Sequence, residues 1–92
     1  MSTVLGEVAE ALGVSIKDLK RQSLKVFLEK ELRSLRVEVL SICQKYDVTS
    51  WEEMNELIIE DKIEEGKILA DFQRVDHLTA KVKRLQTLLE RT

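Results

Sequence analysis

Apolar side chains recur in the first half of this chain at alternating intervals of four and three residues. The six positions are Leu28, Leu32, Leu35, Val39, Ile42 and Tyr46. This alternation is the a/d pattern of a heptad repeat, which lays one helix against another. A second set follows at Val75, Leu78, Val82, Leu85 and Leu89. We call these eleven residues the seam, and they predict two long helices whose main role is to pack.

Signals for helix ends divide the chain into four predicted helices within a single domain. Gly13 stands where a helix C-terminus favours a residue that can adopt positive φ. Ser15 and Ser50 each precede a helical pattern, and their hydroxyls can accept from the amide three residues on. Residues 61–66 lack apolar periodicity and are predicted to form a loop, with a continuous helix as the alternative. Within the domain 1–92, the predicted helices cover 3–12, 15–46, 50–60 and 67–91.

The composition supports an all-α fold. Proline is absent, aromatic residues are 4%, and charged residues make up 35% of the 92 residues, so good helix formers dominate. The apolar runs are far shorter than the roughly 18 residues that span a bilayer, and no secretory signal is visible. The single cysteine, Cys43, fits a reducing compartment. We therefore expect a cytoplasmic protein that does not enter a membrane.

The two long helices are predicted to fold back on each other as an antiparallel hairpin. Two helices enclose little volume, and several apolar positions remain off the seam. These are Val26, Phe27, Val37, Leu69 and Leu88. We expect a homo-oligomer to cover them, with a dimer that forms a four-helix bundle as the leading prediction and a tetramer left open.

Residues with catalytic chemistry are scarce. His77 is the only histidine, and its neighbours four residues away, Gln73 and Lys81, do not suit zinc. Cys43 lies at the margin of the seam and is expected to be a small buried side chain. The acidic ridge Glu52, Glu53, Glu56 and Glu60 has the spacing of a solvated helix face. We predict a protein that is not an enzyme and takes no metal, cofactor or small-molecule substrate.

Charge is divided unevenly along the chain. Between Val14 and Arg36 there are seven basic and three acidic residues, whereas between Glu52 and Asp76 there are nine acidic and three basic residues. The string VAEALGVS, residues 8–15, resembles the first helix and turn of a helix-turn-helix. A DNA-binding regulator that uses residues 4–25 is therefore an alternative prediction. Its candidate contacts are Lys17, Lys20, Arg21 and Lys25.

The order of helix ends resembles small all-helical prokaryotic proteins, chiefly archaeal, that are antitoxin-like partners encoded beside toxins. The landmarks are Lys45-Tyr46-Asp47-Val48, Ser50-Trp51-Glu52-Glu53, and Asp71-Phe72 followed by Asp76-His77-Leu78. The resemblance implies a cytoplasmic protein that oligomerises through its helices and neutralises a toxin. It also implies repression of the protein's own operon.

These observations favour a non-enzymatic helical interaction protein. We expect the seam to hold a homo-oligomeric scaffold, and an exposed acidic or apolar strip to bind a toxin-like protein partner. Large apolar side chains dominate interface energies, so the candidate partner anchors are Phe27, Trp51 and Phe72.

Overall fold

The computed structural model describes residues 3–60 and 65–92, which form four α-helices in the predicted order of lengths. Helices hold 86% of the described residues and strands hold none of them, which confirms the all-α prediction. The helices are α1 (Thr3–Leu12), α2 (Ile16–Gln44), α3 (Trp51–Ile59) and α4 (Glu65–Glu90).

The turn between α1 and α2 is set by Gly13. Its φ is +72°, and the Val14 N–H donates across it to the Ala9 carbonyl at 3.0 Å. This is a Schellman motif, in which a left-handed residue lets the chain close over the last carbonyls of a helix. The Ser15 hydroxyl then accepts from the Asp18 amide at 3.0 Å and starts α2. Both expectations for this turn are confirmed.

The C-terminus of α2 carries a second Schellman motif, and this one has no glycine. Asp47 adopts the left-handed conformation with φ +57°, and the Val48 N–H donates to the Cys43 carbonyl at 3.2 Å. The helix therefore ends at Gln44, two residues earlier than predicted, and Tyr46 lies in the turn after it. Asparagine and aspartate tolerate this conformation better than other non-glycine residues.

The first turn of α3 is fixed by reciprocal bonds. Ser50 Oγ accepts from the Glu53 amide at 3.2 Å, and the Glu53 carboxylate accepts from the Thr49 amide at 2.8 Å. The Glu53 N–H, a donor that the helix would leave unsatisfied, is thereby bonded, and so is the N–H of Thr49, the residue before the cap.

The predicted loop at 61–66 is wrong for its last two residues. Glu65 and Gly66 belong to α4, which begins two residues before the predicted position, and residues 61–64 lie outside the described part of the chain. Glutamate and lysine are good helix formers, so a helix can begin among them without apolar periodicity. The apolar pattern therefore did not predict this start.

The long helices α2 and α4 run antiparallel. Tyr46, after the end of α2, bonds to Asp71 near the start of α4, whereas Lys20 near the start of α2 borders a cleft with Arg91 beyond the end of α4. With α1 and α3 included, the molecule is a rod of 60 × 20 × 20 Å. Helix α1 packs on the first turns of α2, and α3 packs on α4 at the opposite end.

The main hydrophobic core lies at the end where α3 joins the hairpin. Cys43, Val48, Met54, Ile68 and Val75 are buried together. The buried position of Cys43 confirms its expected role as a small core side chain. At this end α3 packs on the hairpin, whereas the middle of the hairpin has two helices and α1 covers only the first turns of α2 at the far end.

Candidate interaction surface

The seam residues line the contact between α2 and α4, with burial that varies along the rod. Leu28, Leu32, Leu35, Val75 and Leu78 are buried. The others are half-buried: Val39, Ile42, Tyr46, Val82, Leu85 and Leu89. The seam therefore packs within one chain, which leaves the surface for any second copy to be sought elsewhere.

Two of the three candidate anchors contact each other. The ring centroids of Trp51 and Phe72 lie 5.5 Å apart, and the ring planes are tilted by 31°. Both rings pack against the buried core cluster. The indole Nε1 of Trp51 is buried, and no hydrogen-bond partner is found for it in the described part of the chain. Because these rings are half-buried within the protein, they offer a partner less area than Phe27, which is 58% exposed.

Exposed apolar side chains form a stripe along α2 on the side away from the seam. It consists of Val26, Val37 and Leu40, and we call it the outer stripe. At 3.6 residues per turn these positions lie roughly 120–180° around the helix from Leu28. The exposures are 63% for Val26, 60% for Val37 and 46% for Leu40. Arg33 lies between them on the same face.

A groove of about 620 Å³ runs beside the outer stripe. Val37 and Leu40 border it on α2, and Leu89 borders it on α4. Glu29, Arg33 and Arg36 supply charged side chains to its rim. An apolar floor with a charged rim is the composition of a protein interface.

Sequence reasoning identified Val26 and Val37 as surplus apolar residues but missed Leu40 and the stripe that joins them. The helical spacing of the stripe is visible in the sequence, because residues 26, 33, 37 and 40 are separated by seven, four and three positions. Arg33 occupies one of these positions, so the apolar pattern by itself is interrupted there.

The basic end of the rod carries the four candidate DNA contacts. Lys17, Lys20, Arg21 and Lys25 are all exposed. Three of them line a cleft of about 600 Å³ with Leu24 and Arg91. Lys25 is not among its lining residues. Arg21 also pairs with Asp18 at 2.8 Å, which neutralises part of this charge.

Charge differs between the two halves of the rod. Residues 3–33 and 79–92, at the end that carries α1, have ten basic and six acidic side chains. Residues 34–60 and 65–78, at the end that carries α3, have four basic and nine acidic side chains. The rod is therefore bipolar, with a balance of +4 at one end and −5 at the other.

A polar cluster joins α2 to α4 at the acidic end. The Tyr46 hydroxyl donates to Asp71 Oδ2 at 2.5 Å, and Lys45 Nζ lies 3.5 Å from the same oxygen. The hydrogen bond to Asp71, with desolvation and the charge of the carboxylate, raises the pKa of Tyr46 to about 12. Further along, Arg74 and Glu38 bridge the same two helices at 2.7 Å.

Side chains that could bind a metal are scattered over the described residues, 3–60 and 65–92. No group of three or more His, Cys, Asp or Glu side chains comes together there as a metal site. Burial, followed by the charge of Glu53, raises the pKa of the Cys43 thiol, which disfavours the nucleophilic thiolate. His77 is exposed on α4.

In the described part of the chain, none of the helices is both long enough and apolar enough to cross a bilayer.

The fold and its surface define an all-α helical hairpin with a large exposed apolar area. A family model described as "Uncharacterized protein MJ0235 family" matches residues 1–92, so the chain belongs to that family. A relative, "Uncharacterized protein MJ0235" from Methanocaldococcus jannaschii, is 37% identical over 65 residues, which cover 71% of this chain and 78% of the relative. No solved structure matches the chain. Neither description names an activity or a partner.

Proposed function

We propose that this protein is a non-enzymatic helical scaffold that self-associates and binds a protein partner. One observation carries the proposal: twelve large apolar side chains among the described residues are 40–72% exposed. Large apolar patches that stay exposed mark interaction sites on soluble proteins. The molecule is only 20 Å across, so most of the length of its two long helices stays open to a second chain.

Sedimentation velocity over a wide range of protein concentration tests the self-association. We expect the sedimentation coefficient to rise with concentration toward that of a dimer, and the thermal midpoint to rise with it by mass action. A folded monomer throughout the range, with a midpoint that does not depend on concentration, would contradict this part of the proposal.

The partner is proposed to be a toxin-like protein that the scaffold neutralises, and the scaffold is proposed to act in the cytoplasm. This finer hypothesis is carried by the resemblance of the helix-end motifs to antitoxin-like proteins. Co-expression with the product of the neighbouring gene tests it. We expect that gene alone to stop growth, and this protein to restore growth by forming a stoichiometric complex. A neighbouring product that is harmless or does not bind would contradict the hypothesis.

DNA binding by residues 4–25 is a second candidate, favoured by the geometry of the first turn. Ala9 is buried, and Gly13 makes the turn with positive φ, as a helix-turn-helix requires. Lys17, Lys20 and Arg21 then lie together beside Arg91. This candidate predicts duplex binding that weakens steeply with salt. Replacement of the three α2 residues by alanine is expected to abolish it, and unchanged retention on DNA would exclude it.

A further inference from the structure

We propose that the outer stripe is the surface of self-association, and that it pairs with the outer stripe of a second copy that runs in the opposite direction. The two-fold axis of this dimer passes beside Arg33. The inference rests on the proposed function for the existence of self-association. It adds the surface, the direction and the register.

The register follows from the spacing of the stripe. Val26 lies seven residues before Arg33, and Leu40 lies seven residues after it. A two-fold axis at Arg33 therefore places Val26 of each copy against Leu40 of the other, since every contact in such a dimer occurs twice. Val37 comes to lie against the methylene groups of Lys30 of the second copy, because these two residues are four and three residues from the axis.

Charged residues beside the stripe fit the same register. Glu29 and Arg36 both line the rim of the groove, so they lie on one side of the outer stripe. They are four residues before and three residues after Arg33. The two-fold axis keeps each residue on its own side and reverses the helix direction, so Glu29 of each copy meets Arg36 of the other. Two ion pairs result, one at each side of the axis.

The charge of the whole rod favours the opposite direction over the parallel one. An antiparallel pair places the basic end of one rod beside the acidic end of the other, twice. A parallel pair would instead place the two basic ends, each with a net charge of +4, side by side. The two acidic ends, each with a net charge of −5, would also lie side by side. Such complementarity suppresses the wrong arrangement and fixes the register.

Arg33 itself faces its own copy across the axis, which opposes association. Glu29 stands four residues before Arg33 on the same helix, the spacing and order at which opposite charges on a helix attract. The arrangement therefore places an acidic residue near each of the two central arginines.

The exposed apolar ridge of α1 is the strongest competing surface. It consists of Val4, Val8 and Leu12. It belongs to a helix of ten residues at one end of the rod, and the acidic Glu7 and Glu10 are the only charged residues of that helix. A second α1 would therefore repel it, whereas the outer stripe carries both signs of charge.

Disulfide formation between single cysteines tests the axis and the direction together. In an antiparallel dimer centred on Arg33, the Arg33→Cys variant is expected to form a covalent dimer under mild oxidation. Gln22→Cys, eleven residues away, is expected to form none with itself, because the two sulfurs lie about 33 Å apart. A mixture of Gln22→Cys and Gln44→Cys is expected to cross-link. The wild type is the control, since Cys43 is fully buried.

Dissociation constants of variants test the contacts. Val37→Lys is expected to raise the dimer dissociation constant by about a hundredfold, because each copy then sets a new positive charge against Lys30 and Arg33 of the other. The matched control Val4→Lys, at a similarly exposed valine on α1, is expected to change it by less than about twofold. Both substituted positions face solvent in one chain, so circular dichroism should show an unchanged helix content.

A charge exchange tests the ion pairs. Glu29→Lys and Arg36→Glu are each expected to raise the dissociation constant by about tenfold, and the double variant is expected to recover most of that loss. Effects that only add in the double variant would overturn the Glu29–Arg36 contact.

The outcomes separate this inference from the proposed function. A dimer in which Arg33→Cys does not cross-link and Val37→Lys has no effect would overturn the inference and leave self-association standing. Self-linking of Gln22→Cys would show a parallel dimer and overturn the direction. A wild type that stays monomeric by sedimentation would contradict both.

Discussion

The two ends of the rod are built from similar amphipathic helices, yet only one encloses a core. Where α3 joins α2 and α4, the side chains of Cys43, Met54, Ile68 and Val75 have no exposed area. In the two-helix part, Leu28 and Leu32 are buried, but the seam residues Val82, Leu85 and Leu89 stay half-buried, and Leu24, Val26 and Phe27 are 48–63% exposed. A heptad stripe is thus enough to pair two helices and to bury single side chains along their contact, whereas a cluster of side chains with no exposed area forms where a third helix closes the open side. The open part is the surface on which we place the second copy.

The sharpest contrast is expected between Met54 and Phe27. Met54→Ala is expected to lower the free energy of unfolding by about 3 kcal/mol, because it leaves a cavity in the closed core. Phe27→Ala, a larger truncation in the open part, is expected to cost less than about 0.5 kcal/mol. Urea unfolding at a concentration where the protein is monomeric measures both. Similar losses would show that the two ends are packed alike.

The hydrogen bond of Tyr46 tests how the closed end is fastened. Tyr46→Phe is expected to lower the free energy of unfolding by about 1.5 kcal/mol at neutral pH, since a bond to a charged acceptor is lost. The folded pKa of about 12 lies above the unfolded value near 10, so the folded state holds this proton more tightly. The contribution is therefore complete below pH 10 and disappears as the pH rises toward 12.

Urea titrations of the wild type and of Tyr46→Phe across alkaline pH check this sign. The difference between the two proteins should shrink above pH 10. A difference that stays constant or grows would contradict the assignment.

Two glycines at opposite ends of the rod should respond to alanine with opposite signs. Gly13→Ala is expected to lower the free energy of unfolding by about 1 kcal/mol, because its φ of +72° strains a Cβ. Gly66→Ala is expected to raise it by about 0.5 kcal/mol, since the site is helical and a Cβ there meets nothing within 4 Å. Thermal unfolding of the two variants measures the sign of each change in the free energy of unfolding. Changes of the same sign would contradict this prediction.

The smallest effect is expected at the ion pair between Arg74 and Glu38. Both side chains are about half exposed, so water screens their attraction. Glu38→Gln is expected to change the free energy of unfolding by less than about 0.5 kcal/mol, and less again in high salt. A loss above 1 kcal/mol in urea unfolding would mean that this pair, and not the apolar seam, aligns the two helices.

The candidate site was predicted less well than the helices. Trp51 and Phe72 were predicted as anchors because of their size. Their positions in the sequence do not indicate that α3 and α4 bring the two rings into contact. Leu40 was missed because Arg33 interrupts the outer stripe. The sequence does predict that Lys17, Lys20 and Arg21 share one region, since they lie within five residues of one helix.

Local chemistry by itself determined where the helices lie and which of their faces are apolar. Heptad spacing, the serine caps and Gly13 act within a few residues, so they can be read without knowing the fold. The left-handed turn at Asp47 also depends on backbone bonds between nearby residues. It ends α2 two residues earlier than predicted. Only the tertiary structure decided that α3 closes one end and that the outer stripe stays uncovered. Those outcomes depend on contacts between residues far apart in the chain, which no local pattern specifies.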